Sequence, residues 1–199
     1  MSSGKIELFT GMFFLVFLIV ILFLQLQLMI FFIAGIYMED ALAASNLASA
    51  VIDVEEYGKT HKLRIASAEN SFRLYQQALK ENLGLDEDWN GSNKDLISGA
   101  VEILQYTVYN VDNRDITVYS FGEDGLHMWT ENGGLGSVRT PDGTLVESTS
   151  VYSRIGFPVK GIMGISVYAR KEKSVDIVVN ENCSVKDLPY SAKGGQERE

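Results

Sequence analysis

The chain offers few side chains that could carry out catalysis. Its two histidines, His61 and His127, fall in different kinds of predicted element, the first after a helix and the second in a strand. They therefore form no His-x-x-x-His pair that could bind a metal. Cys183 has no histidine near it in the sequence, and we find no phosphate loop, nucleophile elbow or dinucleotide fingerprint. The sequence predicts a protein that is not an enzyme and that uses no cofactor.

One acidic segment, residues 86–91 (DEDWNG), has the spacing of the first half of a calcium-binding loop. Oxygen ligands on alternate residues around a tight glycine turn suit Ca²⁺. The closing position, which needs a bidentate carboxylate, holds Ile97, and Asp95 lies two residues before it. We favour a solvated loop and predict no metal site; calcium at Asp86 to Asn90 is the alternative.

The overall charge excludes one class of partner. The chain has 17 Lys and Arg against 26 Asp and Glu, a formal charge of -9, with a pI near 4.8. Binding to nucleic acid requires clustered basic residues, so we expect no nucleic-acid partner. Hydrophobic residues make up 46% of the chain, which excludes a wholly disordered protein. The single cysteine excludes an internal disulfide.

The element that must position any functional residue is an apolar segment near the N-terminus. Residues 12–38 contain no charge, and a helix of this length, about 40 Å, exceeds the ~30 Å hydrocarbon core of a bilayer. We predict a single transmembrane helix, with the lipid bilayer as partner, after a short leader, residues 1–11. Lys5 in that leader favours a cytoplasmic N-terminus and an extracytoplasmic C-terminal domain. A cleaved signal is the alternative, but signal cores are shorter.

Two amides interrupt the apolar segment. Gln25 and Gln27 would each be costly alone in hydrocarbon, and an amide or carbonyl of a neighbouring helix can satisfy them. They predict helix packing in the membrane. The alternative is that one of the two lies near the interface of an overlong segment.

The first helix has no sequence signal that stops it at the membrane. No proline occurs before Pro141, and Gly58 is the first glycine after Tyr37, so we predict that the helix continues to about residue 57. One stripe of this extension is apolar, and we expect it to be buried against the rest of the domain. Its members are Ala44, Leu47, Ala48, Val51 and Val54.

The remaining sequence predicts an α+β domain, residues 39–183, and a flexible polar tail, residues 184–199. A second helix is indicated by apolar residues at alternate spacings of three and four, and it should end near residues 82–84. From Gly99 the pattern changes to period two, which predicts a mostly antiparallel sheet. A hairpin turn is expected at residues 112–115, and Val175, Ile177 and Val179 are candidates for a last edge strand.

A charged leader, an apolar helix that runs into an amphipathic half and a sheet domain together resemble the type IV pilin superfamily. Within it, residues 152–159 (YSRIGFPV) followed by 165–170 look similar to the end of TadE-like pseudopilins of bacterial Tad (Flp) pilus systems. The resemblance implies a non-enzymatic minor pilin or pseudopilin in the bacterial cell membrane. Its partners would be other pilin-like subunits or pilus-assembly proteins, contacted through the N-terminal helix.

The resemblance also implies a role for Glu7. Prepilins are cut after a glycine, and a glutamate five residues beyond it neutralises the amino terminus of a neighbouring subunit. Here Gly4 precedes Glu7 by three residues, which departs from that pattern and leaves both cleavage and the role of Glu7 open.

Two other functions are consistent with the sequence. A membrane-tethered ligand-binding or sensory module would have an aromatic-lined pocket around Tyr106, Tyr119 or Trp129. A tethered hydrolase would need a catalytic group that matches none of the motifs above.

Overall fold

A computed structural model describes residues 3–91, 96–122 and 124–178 of the chain. The fold is α+β, as the sequence predicts. Its elements are α1 (Ser3–Ser49), α2 (Val54–Thr60), α3 (Ala68–Leu83), β1 (Glu102–Asp112), β2 (Asp115–Gly122), β3 (Gly125–Glu131), β4 (Ser150–Lys160) and β5 (Ser166–Asp176), with a 3-10 turn at Ile162–Gly164. We call everything after α1 the head. The predicted tail and Cys183 lie outside the described residues.

The strands form one antiparallel sheet with the order β3-β2-β1-β4-β5. The predicted hairpin is confirmed, because Asp112 pairs with Asp115 across the turn between β1 and β2. Val175 belongs to β5, Ile177 follows it, and Val179 is outside the described residues, so no separate last strand forms within the described part. β5 is therefore an edge strand of the sheet.

The first helix ends earlier than predicted. It stops at Ser49 rather than near residue 57, because residues 50–53 turn away and pair with the segment before α3: Ile52 forms a β-bridge with Ile65. A new helix then starts at the Asp53 cap, whose carboxylate accepts a hydrogen bond from the Glu56 N–H at 2.9 Å. Gly58, the predicted stop, lies inside α2.

The second predicted helix, α3, has the expected C-terminal end and the expected buried face. Ser67 caps its N-terminus, and Gly84 takes the left-handed conformation at its C-terminus, with φ 59°. Tyr75 and Leu79 are fully buried. The 3.6-residue period of the apolar residues predicts this helix correctly because α3 buries its apolar stripe against the rest of the protein.

The core has two parts, one on each face of the sheet. The larger part lies between the sheet and helices α1 and α3. Its largest members are Met38, Leu42, Tyr75, Leu79, Tyr106, Ile155 and Phe157. The smaller part lies on the other face, where Val146 from the β3–β4 connection covers Ile116, Val118 and Tyr152. The N-terminal half of α1 lies outside this packed unit.

Candidate functional site along the first helix

The N-terminal half of α1 has no packing partner within the described part of the chain. Residues 6–26 are exposed, apart from the half-buried Phe23, and they are almost all apolar. At about 1.5 Å per residue this stretch is roughly 31 Å long, close to the thickness of the hydrocarbon core. The described residues contain one helix long and apolar enough to cross a membrane, and this helix is near the N-terminus. It fits a single-pass membrane protein.

The C-terminal half of α1 packs on the head through the face opposite to the one predicted. Ser45, Asn46 and Ser49 are completely buried. The stripe expected to be buried is exposed instead: Ala44, Leu47, Ala48, and, beyond the helix, Val51 and Val54. Burying small polar residues and exposing apolar ones is costly unless the polar groups find partners. The head supplies several of those partners, whereas Asn46 Oδ1 has none among the described residues.

The hydroxyls of Ser49, Ser71 and Tyr106 form one buried cluster between α1, α3 and β1. The Tyr106 hydroxyl donates to Ser49 Oγ at 2.9 Å and lies 2.6 Å from Ser71 Oγ. Ser71 Oγ also lies 2.7 Å from the Ser49 carbonyl, to which it donates. Burial raises the pKa of Tyr106 to about 12, so its hydroxyl stays protonated and available as a donor at neutral pH.

Two further hydrogen bonds attach the polar face of α1 to the head. Asn82 Nδ2 on α3 donates to Ser45 Oγ at 3.0 Å, and Asn46 Nδ2 donates to the Lys173 carbonyl of β5 at 2.8 Å. Serine side chains are short, so α1 can lie close to α3 and still satisfy these groups. The polar face thus determines where the head sits on the helix.

We predict that the Tyr106 hydroxyl stabilises the head whereas the Tyr75 hydroxyl does not. The two rings are neighbours, 4.7 Å apart, and both are fully buried, but the Tyr75 hydroxyl has no hydrogen-bond partner among the described residues. Tyr106→Phe should cost about 1–2 kcal/mol, because it removes the hydroxyl that donates to Ser49 Oγ and that contacts Ser71 Oγ. Tyr75→Phe should cost nothing or should stabilise. Chemical unfolding of the full-length variants in detergent measures both, and equal losses would contradict the assignment.

Two salt bridges connect α1 to the edge strand. Glu39 lies 2.8 Å from Lys173 Nζ and 3.5 Å from Lys171 Nζ. The hydrogen bond from Lys173 lowers the pKa of Glu39, and the charges of Lys173 and Lys171 act in the same direction. All three side chains are partly exposed, so these pairs orient the helix more than they stabilise it.

The structure separates the two glutamines that the sequence analysis grouped. Gln27 is buried, and its Oε1 accepts a hydrogen bond from the Ile162 N–H in the β4–β5 connection at 2.7 Å. Its amide is satisfied in part by the protein's own head rather than by another helix. Gln25 is exposed, and its packing against a neighbouring helix stays a prediction. Glu7 is exposed near the start of α1, and its role in assembly also stays a prediction.

A continuous exposed face remains on the side of α1 away from the head. Met29, Ile33, Ile36 and Leu47 recur on one line of the helix, and we call them the outer stripe. Their exposed fractions are 62%, 48%, 46% and 65%. The acidic Asp40 lies on the same line and is also exposed. Met29, Ile33 and Ile36 lie within the charge-free segment, residues 12–38, whereas Leu47 lies beyond Glu39 and Asp40 on the part of α1 that packs on the head.

The other candidate residues do not converge on a site. Tyr106 and Tyr119 belong to the helix side of the sheet, whereas Trp129 lies on an edge strand and donates to Glu131. The two tyrosines and Trp129 therefore lie in different parts of the sheet, and the sensory alternative stays a prediction. His61 occupies the left-handed position after α2, with φ 56°, and His127 is exposed on β3.

The acidic segment is organised by its own hydrogen bonds. Asp86 Oδ1 accepts from the backbone N–H groups of Asp88 and Asn90, both at 2.9 Å, which forms an Asx turn. Asp95 is outside the described residues. Within the described ranges, no three His, Cys, Asp or Glu side chains are grouped so that they could hold a metal ion.

Comparison with known proteins gives no relative: no family model, no curated protein and no solved structure matches the chain.

Proposed function

We propose that the protein is a non-enzymatic, single-pass subunit of a bacterial envelope assembly, of the minor pilin or pseudopilin kind. The N-terminus is cytoplasmic and the head is extracytoplasmic. α1 packs beside the helices of other pilin-like subunits at the base or tip of a surface filament or secretion assembly. The observation that carries this proposal is the outer stripe, an apolar face of α1 that the head does not cover.

Physical chemistry supports an interface on this face. Apolar surface left in water costs about 25 cal/mol per Å² relative to burial, and extended exposed apolar patches mark interaction sites. The last turns of α1 strengthen the argument, because they bury polar residues and expose apolar ones. The head takes the face of Ser45, Asn46 and Ser49, and the apolar residues of the same turns are left on the outside. A long helix whose exposed face is mostly apolar is suited to packing side by side with similar helices.

We predict that charges on the outer stripe prevent assembly without unfolding the head. Ile36→Asp and Leu47→Asp each place a carboxylate on the proposed interface. Assembly would bury that charge without a partner, which is strongly unfavourable. Each variant should therefore lower cross-linking to neighbouring subunits in native membranes about tenfold or more. The matched control is Leu126→Asp, at an apolar residue with 40% exposure on the far edge strand β3. It should leave cross-linking unchanged.

The unfolding midpoints of all three variants in detergent should equal that of the wild type, because the substituted side chains are exposed. A wild-type chain that stays monomeric in its native membrane would contradict the proposal. Equal loss in Leu126→Asp would also contradict it, because the effect would then come from charge alone.

A further inference from the structure

The first buried residue along α1 is Gln27, and its contact is the connection between β4 and β5. We call residues 161–165 the hairpin tip. Ile162 N–H is bonded to Gln27, and Gly161 lies so close that a Cβ there would overlap the Gln27 amide. The hairpin tip therefore lies beside α1 just where its fully exposed apolar stretch, residues 6–26, ends. If that stretch fills the bilayer, the tip is at the membrane surface.

The hairpin tip and the start of β5 expose apolar side chains at this level. Ile165 is 51% exposed, Val167 44% and Tyr168 48%. Val167 and Tyr168 are consecutive in β5 and face opposite sides of the sheet, and the Tyr168 hydroxyl donates to Glu102 at 2.7 Å. Ile165 and Val167, two positions apart, form the apolar patch at this level, and Val167 lies beside Phe31 and Gly35 of α1.

The charge pattern distinguishes this part of an acidic chain from the rest. No Asp or Glu occurs between Glu147 and Glu172, and the same segment contains Lys160 and Arg170, together with Arg154 and Lys171, which pair with Glu172 and Glu39. The only longer stretch without an acidic residue is the apolar part of α1, from Glu7 to Glu39. The two acid-free stretches of the sequence thus meet at the Gln27 contact. Apolar residues flanked by basic ones are suited to a lipid surface, where the side chains enter the headgroup region and the cations meet phosphate.

We infer that the hairpin tip is a second membrane contact, which inserts Ile165 and its neighbours into the headgroup region beside α1. The occupant is lipid, because the patch is continuous with the membrane-spanning surface of the helix. Two contacts, one through α1 and one through the tip, fix the tilt of the head on the membrane. This inference rests on the membrane-spanning part of the proposed function and is independent of filament assembly.

Spin-label accessibility in the full-length protein tests the inference. In a Cys183→Ser background, the variants Ile165→Cys, Met128→Cys and Leu18→Cys are labelled with a nitroxide and reconstituted in phosphatidylcholine nanodiscs. Met128 is the matched control, an apolar residue with 64% exposure. Through the strand register it lies level with Val175, roughly 33 Å along the sheet from Ile165 at about 3.3 Å per residue.

We expect oxygen to collide with the label at Ile165 more often than a water-soluble nickel complex does. The ratio of the two collision frequencies should be close to the ratio at the Leu18 label. The Met128 label should show the opposite preference. A water-like signal at Ile165 with a lipid-like signal at Leu18 would overturn the inference and leave the anchor intact. Water-like signals at both Leu18 and Ile165 would overturn the membrane anchor itself, and with it the proposed function.

Discussion

Replacing Ser49 with leucine should destabilise the head by about 2–6 kcal/mol. Ser49 is completely buried, and its Oγ lies 2.9 Å from the Tyr106 hydroxyl. A leucine adds volume to a closely packed site, which costs about 1–3 kcal/mol. It also deprives the Tyr106 hydroxyl of the Ser49 Oγ acceptor, which costs about 1–3 kcal/mol more. The measurement is denaturant unfolding of the full-length chain in detergent, followed by tyrosine and tryptophan fluorescence.

Two matched variants separate these contributions. Ser49→Ala removes the hydroxyl without adding volume and should cost about 1 kcal/mol. Ala48→Leu adds the same kind of side chain one residue earlier, on the exposed face, and should change stability by less than about 0.5 kcal/mol. A larger loss for Ala48→Leu than for Ser49→Leu would mean that the apolar face is the buried one, as the sequence pattern alone suggests.

Much of the fold could be predicted because it depends on local patterns. Period-two alternation located the strands, and the turn at residues 112–115 gave the first hairpin. Apolar spacing gave α3, and Gly84 gave its end. In these elements each residue's conformation is determined by residues a few positions away, so the local sequence is sufficient to predict it.

The arrangement of α1 could not be predicted because its determinants are distant in sequence. Ser49 is buried because Ser71 and Tyr106 offer hydroxyls, and the helix stops there because Ile52 pairs with Ile65. Hydrophobicity alone assigns the apolar face to the core. It cannot anticipate that partners from α3, β1 and β5 make a polar face the better one to bury. The same limit applies to Gln27, whose partner is 135 residues away.

Removing the acceptor at Gln27 should release the hairpin tip from α1. Methionine has nearly the same length and volume as glutamine but no strong acceptor, so Gln27→Met removes the 2.7 Å hydrogen bond to Ile162 N–H and keeps the packing. Losing that bond should cost about 1–2 kcal/mol locally, which corresponds to a roughly tenfold faster exchange of the Ile162 amide hydrogen. Hydrogen exchange of the full-length protein in nanodiscs measures this rate.

Gln25→Met is the control, since it makes the same chemical change two residues earlier on an exposed part of the helix. It should leave the Ile162 exchange rate unchanged. Gly161→Ala should reproduce the effect of Gln27→Met from the other side, because the added Cβ displaces the Gln27 amide. If Gln25→Met accelerates exchange as much as Gln27→Met, the effect comes from the membrane segment as a whole. The Gln27 hydrogen bond would then not be the contact that holds the hairpin tip against α1.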